Sequence, residues 1–279
     1  MILTVMIANR TVSLALFEAG ADAATARPKA TFSIAARPMR TADEYTALIS
    51  FMMQQKASDA TVDGVIVASV VPTLTGEIGE ALHVLFPSAV CLTVGAGLKT
   101  GLTICTDAPA LLGADLVAMA VGGLAVQKPP FLVLCCGDMT TLSVVGATKD
   151  APSFLGCSIL PGASISAEAL NMNAALLSTV GLSRPVCAVG TNTEDSVRSG
   201  VLLGHAAAIE GLIARFEREL GVKDIPVIVT GEEAALLEPL LDRETLCDGE
   251  LVHRGLYALT LLNARKIENF RKRYQSFRS

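Results

Sequence analysis

The order of strands and turns in the first part of the sequence is repeated in the second part, and this repeat restricts the possible folds. Residues 2–7 and 12–18 read as two strands joined by a polar turn. Residues 64–71 form a later, continuously apolar strand that Pro72 ends, and a helix is predicted after it. This order is typical of an α/β unit with a buried strand at its centre.

The second part of the sequence follows the same order. Residues 131–136 and 140–145 are predicted as strands around a short polar turn. Residues 225–230 (IPVIVT) are similar to 64–69 (GVIVAS), and a helix is again predicted after them. A duplicated unit predicts an α/β fold of two similar halves with a central cleft between them.

The length of 279 residues suits one large domain or two of ordinary size. The repeat favours two, which we expect at 1–115 and 116–262, with a short tail at 263–279. Hydrophobic residues make up 51% of the chain and charged residues 18%, which predicts an aliphatic core. The tail carries six Lys and Arg against one Glu. A basic tail with interleaved aromatic residues can bind nucleic acid or an acidic partner, but it is more often a solvated helix face.

Cysteine usage and hydropathy predict where the protein is found. Seven cysteines in no regular framework, and no apolar run near the ~18 residues of a membrane span, predict a cytoplasmic protein that does not enter a membrane. Cys135, Cys136 and Cys157 suit either a soft-metal or redox site or, as is more usual, buried structural thiols. The three histidines are scattered, so the sequence predicts no metal site.

The stretch 99–116 ends in a Gly-Ala-Asp turn before a long apolar helix predicted at 116–126. Asp115 therefore lies at a helix N-terminus, beside backbone N–H groups that have no partner within the helix. A carboxylate at this place either caps the helix or accepts a proton from a bound hydroxyl group. The stretch by itself is compatible with both roles.

The same stretch, with its Lys-Thr-Gly and Gly-Ala-Asp motifs, resembles the pantothenate-binding segment of the type III pantothenate kinases. Further motifs of that family occur in its order along nearly the whole chain: RTADEY (40–45), ASVVP (68–72), GDMTT (137–141), LPG (160–162) and GTNTEDSVRSG (190–200). The resemblance implies two ribonuclease H-like halves, as in the sugar kinase and actin superfamily. It also implies ATP-dependent phosphorylation of pantothenate to 4′-phosphopantothenate, the first step of coenzyme A biosynthesis.

In that superfamily a hairpin turn of each half approaches the nucleotide phosphates. In the type III kinases the first turn typically reads Asp-x-Gly-Asn-Thr, and the same positions here are Met6, Ile7, Ala8, Asn9 and Arg10. Only Asn9 matches the family. Met6 offers a soft thioether where Mg²⁺ requires oxygen ligands. Ala8 adds a methyl group where close backbone approach or a positive φ is expected.

The second turn typically reads Asp-Phe-Gly-Thr-Ala-Thr-Thr, whereas residues 135–141 read Cys-Cys-Gly-Asp-Met-Thr-Thr. Cys135 replaces the Asp that the family associates with a monovalent cation, and Asp138 puts a negative charge where a hydroxyl group would contact phosphate. We hypothesise that Arg10 pairs with Asp138 and neutralises the site. The resemblance implies nucleotide contacts by Asn9, Gly137, Asp138, Thr140 and Thr141.

For the substrate side, the resemblance makes Asp115 the general base. It assigns substrate contacts to Gly101, Thr106, Gly113, Ala114, Leu116 and Thr193. Leu116 stands where the family has an Arg, and Thr106 stands where it has a Tyr. Gly101 and Thr193 are retained.

The resemblance implies Mg-ATP and a monovalent cation as cofactors, and pantothenate as ligand. Loss of one preorganised transition-state contact typically costs about 2.7–4 kcal/mol, so the replaced positions predict weak or absent nucleotide binding and very slow turnover by this chain alone. We therefore predict an impaired subunit that pairs with an intact kinase paralogue. An active kinase with repurposed ligands and a non-catalytic ligand sensor are the alternatives.

The family further implies a dimer, formed either by two copies of this chain or with the paralogue, in which the segment carrying Thr193 reaches the neighbour's pantothenate pocket. The helix predicted at 193–220 is apolar on one side, as a dimer surface requires. That side carries Val197, Val201, Leu202, Ile209, Leu212, Ile213 and Phe216. Packing within the chain's own core would produce the same pattern.

Overall fold

The computed structural model describes residues 1–149, 151–173, 181–184 and 187–264. The strands are β1 (Ile2–Ile7), β2 (Thr11–Phe17), β3 (Ala30–Ala35), β4 (Gly64–Ser69), β5 (Val90–Thr93), β6 (Thr103–Ile104), β7 (Phe131–Cys135), β8 (Met139–Thr148), β9 (Ala151–Pro161), β10 (Val227–Thr230) and β11 (Leu246–Cys247). The α-helices are α1 (Ala42–Ala57), α2 (Pro72–Leu85), α3 (Ala114–Val126), α4 (Ala163–Asn173), α5 (Thr193–Arg198), α6 (Gly204–Leu220), α7 (Ala234–Leu237) and α8 (Leu251–Leu262).

Contacts between residues divide the chain into two units. The first unit comprises Met1–Gln127 together with the segment from Leu251 onwards, and the second comprises Lys128–Glu250. This division differs from the boundary at 115/116 that we predicted, because α3 packs against α8 and β4, and α8 packs against β1, β2 and β4. The predicted tail at 263–279 lies outside the described residues, apart from its first two positions.

The first unit is built on a five-stranded sheet in the order β3-β2-β1-β4-β5. β1, β2 and β3 pair antiparallel, whereas β1, β4 and β5 run parallel. Alternate residues of β1 point to opposite faces of the sheet. Leu3 and Val5 join a core with α1 and α2, and Thr4 faces α8. The capping box predicted at Thr41 and Glu44 is present at the start of α1.

Glycines lie where α3 and α8 cross. A Cβ atom at Gly122 would collide with the carbonyl oxygen of Leu251, and a Cβ atom at Gly255 would collide with the carbonyl oxygen of Ala118. Two helix backbones can approach this closely only where no side chain separates them. The contact therefore fixes α3, which carries Asp115 in its first turn, against α8.

The second unit repeats the topology of the first. Its own strands lie in the order β11-β10-β7-β8-β9, with β7, β8 and β9 antiparallel and β7, β10 and β11 parallel. Each of these strands corresponds to one strand of the first sheet, with the same neighbours and directions. The predicted α/β fold with duplicated ribonuclease H-like halves is thus confirmed, while the cleft between the halves stays a prediction.

The helix predicted at 193–220 consists of α5, a π-helical turn at Ser199–Leu203, and α6. By length and composition it is apolar enough to cross a membrane. Its apolar side, however, packs in the core of the second unit, where Leu202, Ile209 and Ile213 are fully buried. Packing within the chain therefore accounts for most of this apolar side, and the dimer stays a prediction.

Candidate functional site

Asp115 lies in the first turn of α3, after the N-cap residue Gly113. Burial raises the pKa of Asp115, and hydrogen bonds from the backbone N–H groups of Leu116 and of Asp115 itself lower it by a smaller amount. Gly113 leaves room for the carboxylate, because a Cβ atom there would collide with Oδ1 of Asp115. A carboxylate held in this way can accept the proton of a bound hydroxyl group.

Two of the expected substrate positions, 106 and 116, differ from the family, whereas Gly113 and Ala114 match it. Leu116 is buried and offers neither charge nor hydrogen bond, and Ala114 is half-buried. The hydroxyl group of Thr106 is buried and has no hydrogen-bond partner among the described residues. An unsatisfied buried polar group costs about 1–3 kcal/mol, so Thr106 is a candidate contact for a ligand that replaces the missing partner.

The segment 99–102 has a defined backbone conformation. Gly101 has a φ of +68°, in the left-handed region that favours glycine. Oγ1 of Thr100 donates a hydrogen bond to the carbonyl oxygen of Leu102 at 3.0 Å and accepts one from its N–H group at 3.2 Å. These contacts close a tight turn around Gly101, whose positive φ favours glycine.

The first hairpin turn joins β1 to β2 and closes with a hydrogen bond from the N–H group of Ala8 to the carbonyl oxygen of Thr11, at 2.9 Å. Ala8 does not have the positive φ that favours glycine, and a close backbone approach at this position stays a prediction. Met6 is 6% exposed, whereas Asn9 and Arg10 are exposed. A buried thioether in place of a carboxylate leaves this turn without the family's cation ligand.

Close backbone contacts hold the second hairpin turn, at 136–138. A Cβ atom at Gly162 would collide with the carbonyl oxygen of Gly137, and the N–H group of Gly162 donates to the carbonyl oxygen of Asp138 at 2.8 Å. A Cβ atom at Gly231 would collide with the carbonyl oxygen of Cys136. The turn is therefore fixed between two loops that each require glycine.

The two hydroxyl groups after this turn point to opposite faces of the sheet. Oγ1 of Thr140 lies 2.8 Å from Nε2 of His205, and both residues are buried. Burial lowers the pKa of His205, and the charge of Glu233 raises it by a smaller amount. Oγ1 of Thr141 is buried without a partner among the described residues. Thr141 is thus better placed than Thr140 to contact a ligand.

Glu233 was missed by sequence reasoning. Its carboxylate accepts hydrogen bonds from the N–H groups of Ala163 and Ser164, at 3.0 and 3.1 Å. These two groups belong to the N-terminus of α4, which attracts anions. An internal carboxylate therefore occupies a position beside the second turn that would otherwise favour phosphate.

Thr193 is exposed at the start of α5. It lines a surface groove of about 590 Å³ together with Asn192 and Ser196. Asn192 caps α5, since its Oδ1 accepts a hydrogen bond from the N–H group of Asp195 at 2.9 Å. The hydroxyl group of Thr193 is therefore presented at a fixed helix end, accessible to a ligand or a neighbouring chain.

The thiols of this region do not assemble into a metal site. Among the residues that the structure describes, no group of three or more His, Cys, Asp or Glu side chains is arranged to hold a metal ion. β8 separates Cys135 from Cys157, and the two lie opposite different residues of β8, Thr141 and Ser143. Cys136 is a buried free thiol whose pKa is raised by burial. The soft-metal interpretation is therefore not supported.

The donor atoms present do not fit the cations that the resemblance implies. Mg²⁺ takes oxygen ligands, but positions 6 and 135 present sulfur. The substrate segment, Asp115 and the first turn belong to the first unit, whereas the second turn and Thr193 belong to the second. The pairing of Arg10 with Asp138 would join the two units and stays a prediction.

Comparison with known proteins supplies the family. A sequence model described as type III pantothenate kinase matches residues 2–215. The type III pantothenate kinase of Roseiflexus castenholzii is 35% identical over 264 residues, which cover 94% of this chain and 99% of that protein. The type III pantothenate kinase of Acidobacterium capsulatum is 35% identical over 238 residues, which cover 85% of this chain and 86% of that protein.

Solved structures support the fold. Component A of (R)-2-hydroxyglutaryl-CoA dehydratase from Acidaminococcus fermentans has a TM-score of 0.54 and 11% sequence identity, with 95% of this chain and 98% of that chain covered. At so low an identity the likeness concerns the fold alone. The family model and the two relatives, which extend over most of this sequence, lead to a firmer conclusion: this chain belongs to the type III pantothenate kinase family.

Proposed function

We propose that this chain binds pantothenate in the cytoplasm and takes part in the family reaction. That reaction is the ATP-dependent phosphorylation of pantothenate to 4′-phosphopantothenate. The chain acts in it as a subunit with little turnover of its own. The observation that carries the proposal is the difference between the substrate side and the nucleotide side. On the substrate side, Asp115 keeps its place at the N-terminus of α3, where Gly113 leaves room for its carboxylate. On the nucleotide side, a buried Met6 stands where the family places a carboxylate.

On the substrate side, Asp115 accepts the proton of the hydroxyl group that becomes phosphorylated. Its raised pKa makes it a stronger base than an ordinary carboxylate, and the two backbone N–H groups keep it oriented. The unpartnered hydroxyl group of Thr106 offers a hydrogen bond to the same ligand. Leu116 gives this part of the site an apolar wall instead of a positive charge.

On the nucleotide side, several features act against phosphate and its cation. Met6 and Cys135 replace cation ligands, Asp138 adds a negative charge, and Glu233 occupies two N–H groups of α4. Phosphoryl transfer depends almost entirely on positioning and charge neutralisation. Since one lost contact lowers a rate by about 10²–10³-fold, several losses predict turnover near background even if their effects are not additive.

Calorimetry and a coupled assay on the purified protein test the proposal together. We expect pantothenate to bind, Mg-ATP to bind weakly, and ADP release to stay near background. A micromolar dissociation constant for Mg-ATP with turnover near the enzyme median of about 10 s⁻¹ would instead establish an active kinase with repurposed ligands. Thermal stabilisation by acyl-CoA but not by pantothenate would establish a ligand sensor, since a ligand stabilises the state that binds it.

A further inference from the structure

The side chain of Asn263, directly after α8, is 3% exposed and holds the backbone of Lys99. Nδ2 donates hydrogen bonds to the carbonyl oxygens of Lys99 and Leu259, both at 2.8 Å. Oδ1 accepts a hydrogen bond from the N–H group of Lys99 at 3.2 Å. One amide thus satisfies both backbone polar groups of Lys99, which requires a donor and an acceptor on the same short side chain.

The same end of α8 also contacts the next part of the segment. A Cβ atom at Gly101 would lie 3.6 Å from Cδ1 of Leu262, at ordinary contact distance. Thr100 and Leu102 close the turn between these two contacts. Segment 99–102 is therefore held at Lys99 by Asn263, and Leu262 lies near its Gly101.

α8 supports Asp115 as well, through α3. Gly255 packs against the backbone of Ala118, and Gly122 packs against the backbone of Leu251. The segment with the Lys-Thr-Gly motif and the helix with the Gly-Ala-Asp motif are thus attached to one helix. Any shift of the segment along α8 changes its position relative to the carboxylate of Asp115.

We propose that Asn263 is a positioning residue of the pantothenate site, which acts by fixing segment 99–102 against α8 and so relative to Asp115. This inference rests on the proposed function, since it takes pantothenate as the ligand of the segment. Asn263 acts through the backbone of Lys99. Its replacement therefore weakens pantothenate binding without weakening whatever affinity the protein has for Mg-ATP.

The test replaces Asn263→Asp, which keeps the shape and the acceptor but removes the two hydrogen bonds that Nδ2 donates. Tyr257→Phe is the matched control, because it removes two partly buried hydrogen bonds from α8 to the carbonyl oxygens of Glu18 and Ala21. Two net hydrogen bonds correspond to about a tenfold loss of affinity. We expect the pantothenate dissociation constant to rise at least about tenfold in Asn263→Asp and to stay unchanged in Tyr257→Phe.

Hydrogen exchange gives a readout that is independent of ligand. The amide hydrogen of Lys99 should exchange faster in Asn263→Ser, which is too short to reach Lys99 and so removes the acceptor as well, than in the wild type or in Tyr257→Phe. Amides in the middle of α8 should keep their protection. If Asn263→Asp does not fold, Asn263→Ser replaces it in the affinity measurement.

Unchanged pantothenate affinity in the folded variant would overturn the inference and leave the proposed function standing. Equal weakening of pantothenate and Mg-ATP binding, with faster exchange throughout α8, would also overturn it, because the residue would then be merely structural. A wild-type protein that does not bind pantothenate would overturn the proposed function and, with it, the ligand assigned to segment 99–102.

Discussion

At the scale of single residues, His253 shows how burial fixes a protonation state. Its Nδ1 lies 2.8 Å from Oγ1 of Thr4, and its Nε2 lies 3.0 Å from Oγ of Ser13. Because the hydroxyl group of Thr4 donates to the carbonyl oxygen of Ala15, it accepts from Nδ1–H, and Nε2 then accepts from Ser13. The contact in which Nε2 accepts requires a neutral ring, and burial favours that form by lowering the pKa of His253 to about 4.

We therefore predict that the free energy of unfolding decreases as the pH falls from 6.5 to 4. In this window the unfolded chain protonates His253 at its ordinary pKa of 6.5, whereas the folded chain protonates it only near 4. The unfolded state binds more protons, so acid favours it, by at most about 3 kcal/mol. Urea unfolding at several pH values should show that the free energy of unfolding decreases less between pH 6.5 and 4 in His253→Gln than in the wild type. His83→Gln, at an exposed position, is the control. An equal decrease in both variants would show that His253 is not responsible.

The substitution Asp115→Asn distinguishes the two possible roles of Asp115, proton acceptor and helix cap. The amide still fits beside Gly113 but does not accept the proton of a hydroxyl group. We expect pantothenate affinity to stay within a few-fold and any measurable turnover to fall by about 10²–10⁴-fold. Wild-type turnover should be lost as the pH falls through the raised pKa of Asp115, since the base must be ionised. A coupled assay measures both effects, and full activity of the variant would leave capping as the only role.

At the scale of elements, the crossing of α3 and α8 is the most sensitive contact of the first unit. We predict that Gly255→Ala destabilises the protein by about 1–3 kcal/mol. Its Cβ atom would collide with the backbone of Ala118, and neither helix can move away without losing packing contacts. Gly211→Ala in α6 is the matched control. Nothing lies within 4 Å of its Cβ position, so this change should stabilise the helix by about 0.5–1 kcal/mol. Thermal unfolding of both variants measures the difference.

The elements that the sequence predicted are those whose signals are local. β1, β2, β4 and β7 are mainly apolar runs bounded by turns, and α1 has a capping box. β3 and β9 were not predicted. β9 contains Pro152 and Gly156 and is partly exposed, so its conformation comes from its pairing with β8. α8 was not predicted either, because its buried residues include His253 and Arg254, whose hydrogen-bond partners lie far away in sequence.

At the scale of the whole molecule, the same distinction applies to the candidate site. Asp115, Gly113 and the altered turns were found because each lies in a short motif. Asn263, Glu233 and His205 were missed, since each acts on a segment far away in sequence through contacts that only the fold creates. Thr140 and Thr141 are neighbours in one motif, yet the fold gives them different partners. Motifs thus indicate the ligand-facing residues, while the residues that support them emerge from tertiary contacts.

The last prediction concerns a dimer of this chain with an intact kinase paralogue. The resemblance implies that in such a dimer Thr193 reaches the neighbour's pantothenate pocket. The apolar side of α6 is used in this chain's own core. The accessible features are therefore the groove beside Thr193 and the exposed apolar side chains of Leu170, Met172 and Val189. We predict that co-expression with the paralogue yields a heterodimer in which this chain completes the partner's site, the alternative being a homodimer of this chain.

In the purified mixture, Thr193→Val should raise the KM for pantothenate about threefold to tenfold, as expected for one lost hydrogen bond of about 0.5–1.5 kcal/mol, and should leave the KM for ATP unchanged. Thr31→Val, at an exposed position of β3, is the control and should change neither constant. Size-exclusion chromatography with mass measurement shows whether the heterodimer forms. If the paralogue is fully active alone and Thr193→Val leaves the mixture unchanged, this chain does not complete its partner's site.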